Sequence, residues 1–149
     1  MKKLILAIAA VLVFALPVFA SAGLPDISGW QCGALRVTKL DTVSGNKGQW
    51  LERDYRTAAG APFHAVWLDG AGEKNWNASP SPVVSDGAGA TYKTAEVSGC
   101  LAVIERHPVT GVSLAVKVDK LGTLTLESNN ATTDDEALAA ADAIIKAMR

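Results

Sequence analysis

The chain has 149 residues, with 14 Lys and Arg against 15 Asp and Glu, two Cys, and 49% hydrophobic residues. This length supports one domain with its own hydrophobic core rather than two domains. The charged fraction of 19% and the net charge of −1 exclude a disordered acidic or basic tail. Because Lys and Arg are spread thinly along the chain, we expect no nucleic-acid partner.

The first 22 residues have the pattern of a secretory signal peptide. Met1-Lys2-Lys3 is a short positive start, and an apolar stretch runs from Leu4 to Phe19. Ala20-Ser21-Ala22 then supplies the small residues that a signal peptidase recognises. The apolar stretch of about 16 residues is short for a bilayer, which needs about 20. We therefore expect cleavage after Ala22, with Ala20 as the alternative position, no membrane anchor afterwards, and a single domain over residues 23–149.

This signal predicts a periplasmic or secreted location, and its short Lys-Lys start is typical of a bacterial envelope protein. Removing its two lysines leaves 12 Lys and Arg against 15 Asp and Glu in the exported chain. In an oxidising compartment an isolated pair of cysteines most simply forms a disulfide, which predicts a bond between Cys32 and Cys100. A metal site or reactive thiols are the alternatives, but the spacing is not Cys-x-x-Cys and only two histidines could assist. We expect no cofactor.

Alternation of hydrophobic and polar residues predicts six or seven β-strands joined by short turns. Residues 49–68 are expected to form a β-hairpin around a turn at 58–61. Further strands are predicted at 33–40, 91–97, 101–106, 112–118 and 123–127. The short connections favour an antiparallel meander over a parallel sheet.

One amphipathic helix is predicted at the end of the chain. Thr133 and Glu136 form a capping box, in which each residue satisfies the other's backbone N–H. An apolar stripe then follows at helical spacing, made up of Leu138, Ala141, Ile145 and Met148. The predicted class is therefore α+β, with the helix packed on one face of the sheet. The other face could be covered by residues 24–30, by the loop at 70–90 or by a second copy in a homodimer.

The order of these elements resembles that of the Mog1/PsbP-like proteins. The exported chain opens with Leu24-Pro25-Asp26-Ile27-Ser28-Gly29-Trp30, continues through antiparallel strands, and closes with a helix at 134–148. The resemblance implies an antiparallel sheet covered by helices and a role in binding or assembly rather than in catalysis. This chain has fewer helices than that layout, and no functional residue carries over.

Few residues in the sequence suggest catalysis. There is no Gly-x-Ser-x-Gly motif, and with two histidines any triad must use His64 or His107. For each histidine the simpler interpretation is a surface or packing role. A small hydrolase is therefore an alternative that depends on one of these two residues.

Residues 69–90 are the longest irregular stretch, and loops of this length are usually functional or mobile. Trp76 lies there between two asparagines, where its ring could stack on a ligand or fold back over the core. Trp76, together with Trp67 and His64 in the preceding strand, is a candidate ligand-binding residue. We expect an exported, non-enzymatic binding module for a small molecule, a peptide or an envelope protein, with a dimeric structural protein as a further alternative.

Overall fold

The computed structural model describes residues 23–41, 47–69, 84–85, 89–118 and 120–149. These residues form one antiparallel sheet and one helix. The elements are β1 (Gln31–Cys32), β2 (Arg36–Asp41), β3 (Lys47–Arg56), β4 (Pro62–Asp69), β5 (Val84–Ser85), β6 (Thr91–Val97), β7 (Cys100–His107), β8 (Gly111–Val118), β9 (Gly122–Ser128) and α1 (Asp134–Met148). The predicted α+β class, with an antiparallel sheet and a C-terminal helix on one face, is confirmed. The predicted signal peptide and Trp76 lie outside the described residues.

The strand order combines a hairpin with a longer meander. The order is β1-β3-β4-β9-β8-β7-β6-β5, and β2 pairs with β3 beside β1. Strands β6 to β9 follow one another as in a meander, and β9 then pairs with β4 of the earlier hairpin. The last strand of the chain therefore lies in the middle of the sheet.

Strands β1 and β2 are two parts of one edge strand separated by a bulge. Cys32 pairs with Tyr55, whereas Arg36 pairs with Glu52, so the register shifts by one residue between them. Gly33 stays bound to β3, because its N–H donates to the carbonyl of Asp54 at 2.8 Å. An extra residue of this kind bends and twists an edge strand.

One face of the sheet forms the hydrophobic core. Alternate residues of β8 and β9 are buried there, including Leu114, Val116, Leu124 and Leu126. The helix packs over β8, β9 and β6 on this side. Because successive side chains of a strand point to opposite faces, the other set of residues faces away from α1.

The segment before β1 covers the part of the core that α1 does not reach. The Arg53 guanidinium donates to the carbonyls of Leu24 and Gly33 at 2.9 and 2.8 Å and also pairs with Asp26. The Tyr55 hydroxyl donates to the carbonyl of Pro25 at 2.7 Å. The expectation that residues 24–30 could cover the second face is wrong, because Arg53 and Tyr55 hold this segment on the same face as the helix.

The start of α1 is anchored by charge. The predicted capping box is confirmed, with both reciprocal bonds between Thr133 and Glu136. Asp134 accepts hydrogen bonds from Arg106 at 2.6 Å and from Lys93 at 2.5 Å. These contacts fix the helix start to β6 and β7.

No disulfide bond joins Cys32 and Cys100, so this prediction is wrong. Cys32 lies on β1 and Cys100 opens β7, and four strands separate β1 from β7. With strands about 4.8 Å apart, the two strands are on the order of 24 Å apart across the sheet. A disulfide requires Cα atoms about 4.4–6.8 Å apart. Strand order therefore prevents the bond.

Within the described ranges, no helix is long and apolar enough to cross a membrane.

Candidate functional site

The sheet face opposite α1 is the candidate functional site. We call it the open face, because no described element packs over it. Strand alternation and register assign it the residues Arg36, Thr38, Leu40, Trp50, Glu52, Asp54, Arg56, His64, Val66, Leu68, Tyr92, Thr94, Glu96, Leu101, Val103, Glu105, Ser113, Ala115, Lys117, Thr123, Thr125 and Glu127. All of these side chains are half-buried or exposed.

His64 lies between two carboxylates on this face. It pairs directly with Asp54 of β3, and its Nδ1 lies 2.8 Å from Asp54 Oδ1. Its Nε2 lies 3.5 Å from Glu52 Oε1, two residues earlier on β3. The alternation of β3 produces this arrangement, because residues 52 and 54 point to the same side, so that Asp54 lies directly opposite His64 and Glu52 lies diagonally across from it.

Arg36 of the edge strand completes this group. Its guanidinium lies 3.7 Å from Glu52 and 3.6 Å from Asp54. We refer to Arg36, Glu52, Asp54 and His64 as the His64 cluster. The hydrogen bond from His64 lowers the pKa of Asp54, slight burial opposes this effect, and the charges of His64 and Arg36 add to the lowering.

The His64 cluster has part of the arrangement of a general base. A histidine oriented by an aspartate is typical of catalytic triads, but the second ring nitrogen must then face a hydroxyl or thiol. Here Nε2 faces the Glu52 carboxylate, and no described hydroxyl or thiol is bonded to it. The described residues also contain no group of three His, Cys, Asp or Glu side chains arranged to hold a metal ion.

An open cleft of about 630 Å³ lies next to the cluster, at the ends of β3, β4 and β9. Asp54, His64 and Glu127 line it from the open face. Cys32 also lines it, but its pairing with Tyr55 places it on the core side of β3, where its thiol accepts from the Ile27 N–H at 3.4 Å. The cleft therefore does not bring the thiol and the imidazole onto one face.

The second histidine does not join this group. His107 ends β7, and its Nδ1 accepts the N–H groups of Val109 and Thr110 at 3.1 and 3.2 Å. This arrangement closes the turn into β8. The structure therefore places His107 in a turn and His64 in the charged cluster.

Of the two tryptophans predicted as ligand contacts, the structure describes only Trp67. Trp67 is 0% exposed on the core face, so it offers no surface to a ligand, and its Nε1 has no hydrogen-bond partner among the described residues. Trp76 lies outside the described residues. Among the described tryptophans, the exposed one is Trp50, which is 38% exposed on the open face and which the sequence patterns did not single out. The available signal was that Trp50 lies at period two with the charged residues Glu52 and Asp54 of β3, and so on the same side of the strand.

Comparison with protein-family models, with curated proteins and with solved structures finds no match to this chain. The candidate site is therefore defined by its own geometry.

Proposed function

We propose that this protein is a non-enzymatic binding module of the bacterial envelope, and that its open face binds a polypeptide partner. The observation that carries the proposal is the pair of exposed apolar side chains on that face. Trp50 is 38% and Leu101 40% exposed, and each stands on a strand that is firmly paired on both sides. Large apolar side chains exposed on one rigid face, here with half-buried Leu68 beside Trp50 and half-buried Val103 beside Leu101, are typical of protein interaction sites.

The shape of the face supports a polypeptide rather than a small molecule. Small ligands are usually held in concave pockets that bury most of their surface. The middle of the open face carries short side chains flush with the sheet, such as Ala115 and Thr125, between half-buried Val66 and Val103. A broad surface of this kind suits a partner that spreads its contacts over several strands.

The charges of the face define the chemistry of the partner. Counted by register, the open face carries five carboxylates, at Glu52, Asp54, Glu96, Glu105 and Glu127, against the basic residues Lys117 and, at the end of β3, Arg56. Arg36 offsets part of this charge, because it lies within 3.7 Å of two of the carboxylates. A partner with an apolar centre and basic residues at its margin would match this surface and be attracted to it.

Export is part of the proposal and rests on the sequence of residues 1–22. Outside the cytosol, the negative charge of the exported chain would favour basic partners of the envelope. The alternative of a homodimer would use the same open face, with a second copy as the partner.

The test is a comparative capture from an extract of the source cells. Immobilised protein is compared with a Trp50→Glu/Leu101→Glu variant and with a Val109→Glu control. Val109 is 79% exposed in the turn between β7 and β8, away from the open face. We expect the same identified protein on the wild type and the control, and at least tenfold less on the double variant. Equal capture by all three proteins would refute the proposal.

A further inference from the structure

The edge of the sheet at β2 presents backbone groups that point away from the fold. The Gly33 N–H donates to the Asp54 carbonyl at 2.8 Å, so the backbone groups of Asp54 point toward the edge strand. The Gln49 N–H points the opposite way, toward β4, as alternation along β3 requires. The register then bonds the even-numbered residues of β2 to β3 and directs the N–H and C=O groups of Val37 and Lys39 outward. Within the described part of the chain, no strand pairs with β2 on that side.

The edge strand lacks most of the features that keep such an edge from pairing. Its six residues include no proline, and six is an ordinary length for a strand. Val37 is 52% exposed, although it stands opposite the buried Leu51 at the margin of the core. A lysine on an edge strand normally discourages pairing. A strand that pairs here must therefore neutralise Lys39.

A second copy of β2 neutralises Lys39 when the two strands run antiparallel and are centred on Leu40. Lys39 of each copy then lies opposite Asp41 of the other copy, and the two Leu40 side chains face each other. The sequence also reads alike in both directions from this centre, because Val37-Thr38 on one side is matched by Thr42-Val43 on the other. We propose that two copies of this chain pair through β2 in this register, which joins their sheets into one.

The backbone is bonded correctly in this register. Directly opposite residues of an antiparallel pair either exchange both N–H···O=C bonds or exchange none. Lys39 and Asp41 belong to the outward-pointing set, so they form a bonded pair across the two copies. Leu40 is bonded to β3 and falls at an unbonded position, where opposing side chains approach most closely.

Other registers meet the charges less well. Centring the two strands on Lys39 places the two lysines directly opposite each other, which is destabilising. Centring them on Thr38 places Lys39 opposite Val37 and Asp41 opposite Leu35, so neither charge meets its counterpart. The charge pattern of β2 therefore selects the register about Leu40.

This dimer leaves the open face accessible. Opposite residues of paired strands point to the same side of a sheet, so the open faces of the two copies lie side by side. The bulge before β2 lies outside the overlap of the two strands. The inference concerns an edge rather than a face, and it does not depend on the proposed function.

The experiment measures dimerisation of the purified protein by sedimentation over a concentration series that reaches millimolar. The variants are Lys39→Asp, Asp41→Lys and the exchange Lys39→Asp/Asp41→Lys, which keeps the net charge of the wild type. Lys120→Asp is the matched control, because Lys120 is exposed in the turn before β9. Melting temperatures show whether each variant is folded. Lys39→Pro, which removes an outward N–H without breaking a bond to β3, replaces Asp41→Lys if that variant does not fold.

We expect a dimer for the wild type, with a dissociation constant that rises at least tenfold in each single charge variant. The exchange variant should return to within threefold of the wild type, and Lys120→Asp should change the constant less than twofold. Amide exchange of Val37 and Lys39 should slow at least fivefold as the protein dimerises, whereas that of Thr38, already bonded to β3, should not.

Three results would overturn the inference. A monomer at every concentration would exclude pairing of two copies and leave the open-face function standing. A folded exchange variant that dimerises as weakly as the single variants would exclude the contact between Lys39 and Asp41. A dimer that ignores the charge variants but dissociates in Trp50→Glu/Leu101→Glu would belong to the open face instead.

Discussion

Trp50 and Leu101 lie on the same face of the sheet, on β3 and β7, with three strands between them. Trp50 pairs with Leu68, Leu68 with Thr123, and Thr123 with Lys117, which leads across the sheet to the strand that carries Leu101. At about 4.8 Å for each strand, the two side chains stand about 19 Å apart. The candidate surface is thus wide and is supported by the most central strands of the fold.

The first prediction concerns the anchor of the N-terminal segment. Arg53→Ala should lower the free energy of unfolding by about 2–4 kcal/mol, because the guanidinium donates to two buried-side carbonyls and pairs with Asp26. Arg56→Ala is the matched control, since its bond to the Gly60 carbonyl is exposed, and it should cost less than about 0.5 kcal/mol. Urea denaturation measures both values.

Hydrogen exchange provides a second readout for the same variant. Amides of residues 24–33 should exchange faster in Arg53→Ala, while those of β8 should keep their protection. Uniform loss of protection over the whole sheet would show that Arg53 does not act on this segment in particular.

The second prediction concerns Gly122 at the start of β9. A Cβ atom there would lie 2.5 Å from the Leu68 carbonyl oxygen and 2.8 Å from Cζ2 of the buried Trp67. Gly122→Ala should therefore destabilise the protein by about 3 kcal/mol through overpacking. Gly60 has φ +92° but open space around it, so Gly60→Ala should cost about 1 kcal/mol from backbone strain alone. If urea denaturation gave the same loss of unfolding free energy for Gly122→Ala and Gly60→Ala, the crowding at Gly122 would be contradicted.

The third prediction concerns acid stability. Partial burial raises the pKa of Asp134, but hydrogen bonds from Lys93 and Arg106 outweigh it, so the pKa is lowered overall. A carboxyl group whose pKa is lower in the folded protein stabilises it above the unfolded pKa, about 3.9 for Asp. That contribution is lost as the pH falls from about 4 through the pKa that Asp134 has in the folded protein.

Asp134→Asn should therefore lower the free energy of unfolding by about 1–2 kcal/mol at pH 7 and by progressively less below pH 4. Asp135→Asn is the control, because Asp135 is also in the first turn of α1 but has no ion pair among the described residues. Its cost should stay below about 1 kcal/mol. If the difference in unfolding free energy between wild type and Asp134→Asn stayed constant from pH 7 to pH 2, the proposed ionic role of Asp134 would be contradicted.

The fourth prediction concerns the cysteines. Digestion of the purified protein without reductant should give no peptide pair linked through Cys32 and Cys100, because four strands separate them. Cys32→Ser should then leave the urea midpoint nearly unchanged, since no loop-closing bond is lost. A linked peptide pair in the mass spectrum would require a different strand order.

Local patterns in the sequence were sufficient to predict most elements. The alternation from Val112 to Val118 gives β8, and the Thr133–Glu136 box gives the start of α1, because both depend on neighbours a few residues away. The order of the strands depends on long-range pairing, above all on β9 beside β4. Alternation alone does not determine that pairing, so the separation of Cys32 from Cys100 could not be predicted.

The site was predicted only in part for the same reason. His64 was singled out as a candidate ligand-binding residue, and the structure places it on the open face, but its neighbours Glu52 and Asp54 follow from the β3–β4 register. Trp67 and Trp50 occupy opposite sides of neighbouring strands, and a hydrophobic run does not reveal which of the two is buried. The exposed member, Trp50, became evident only when the helix had been placed on the other face.

Hydroxyl-radical footprinting of the protein with its captured partner is the most direct test of the open face. We predict that the oxidation rates of Trp50 and Leu101 fall at least fivefold on binding, while that of exposed Val109 stays unchanged. Unchanged rates at Trp50 and Leu101 in a saturated complex would contradict the account.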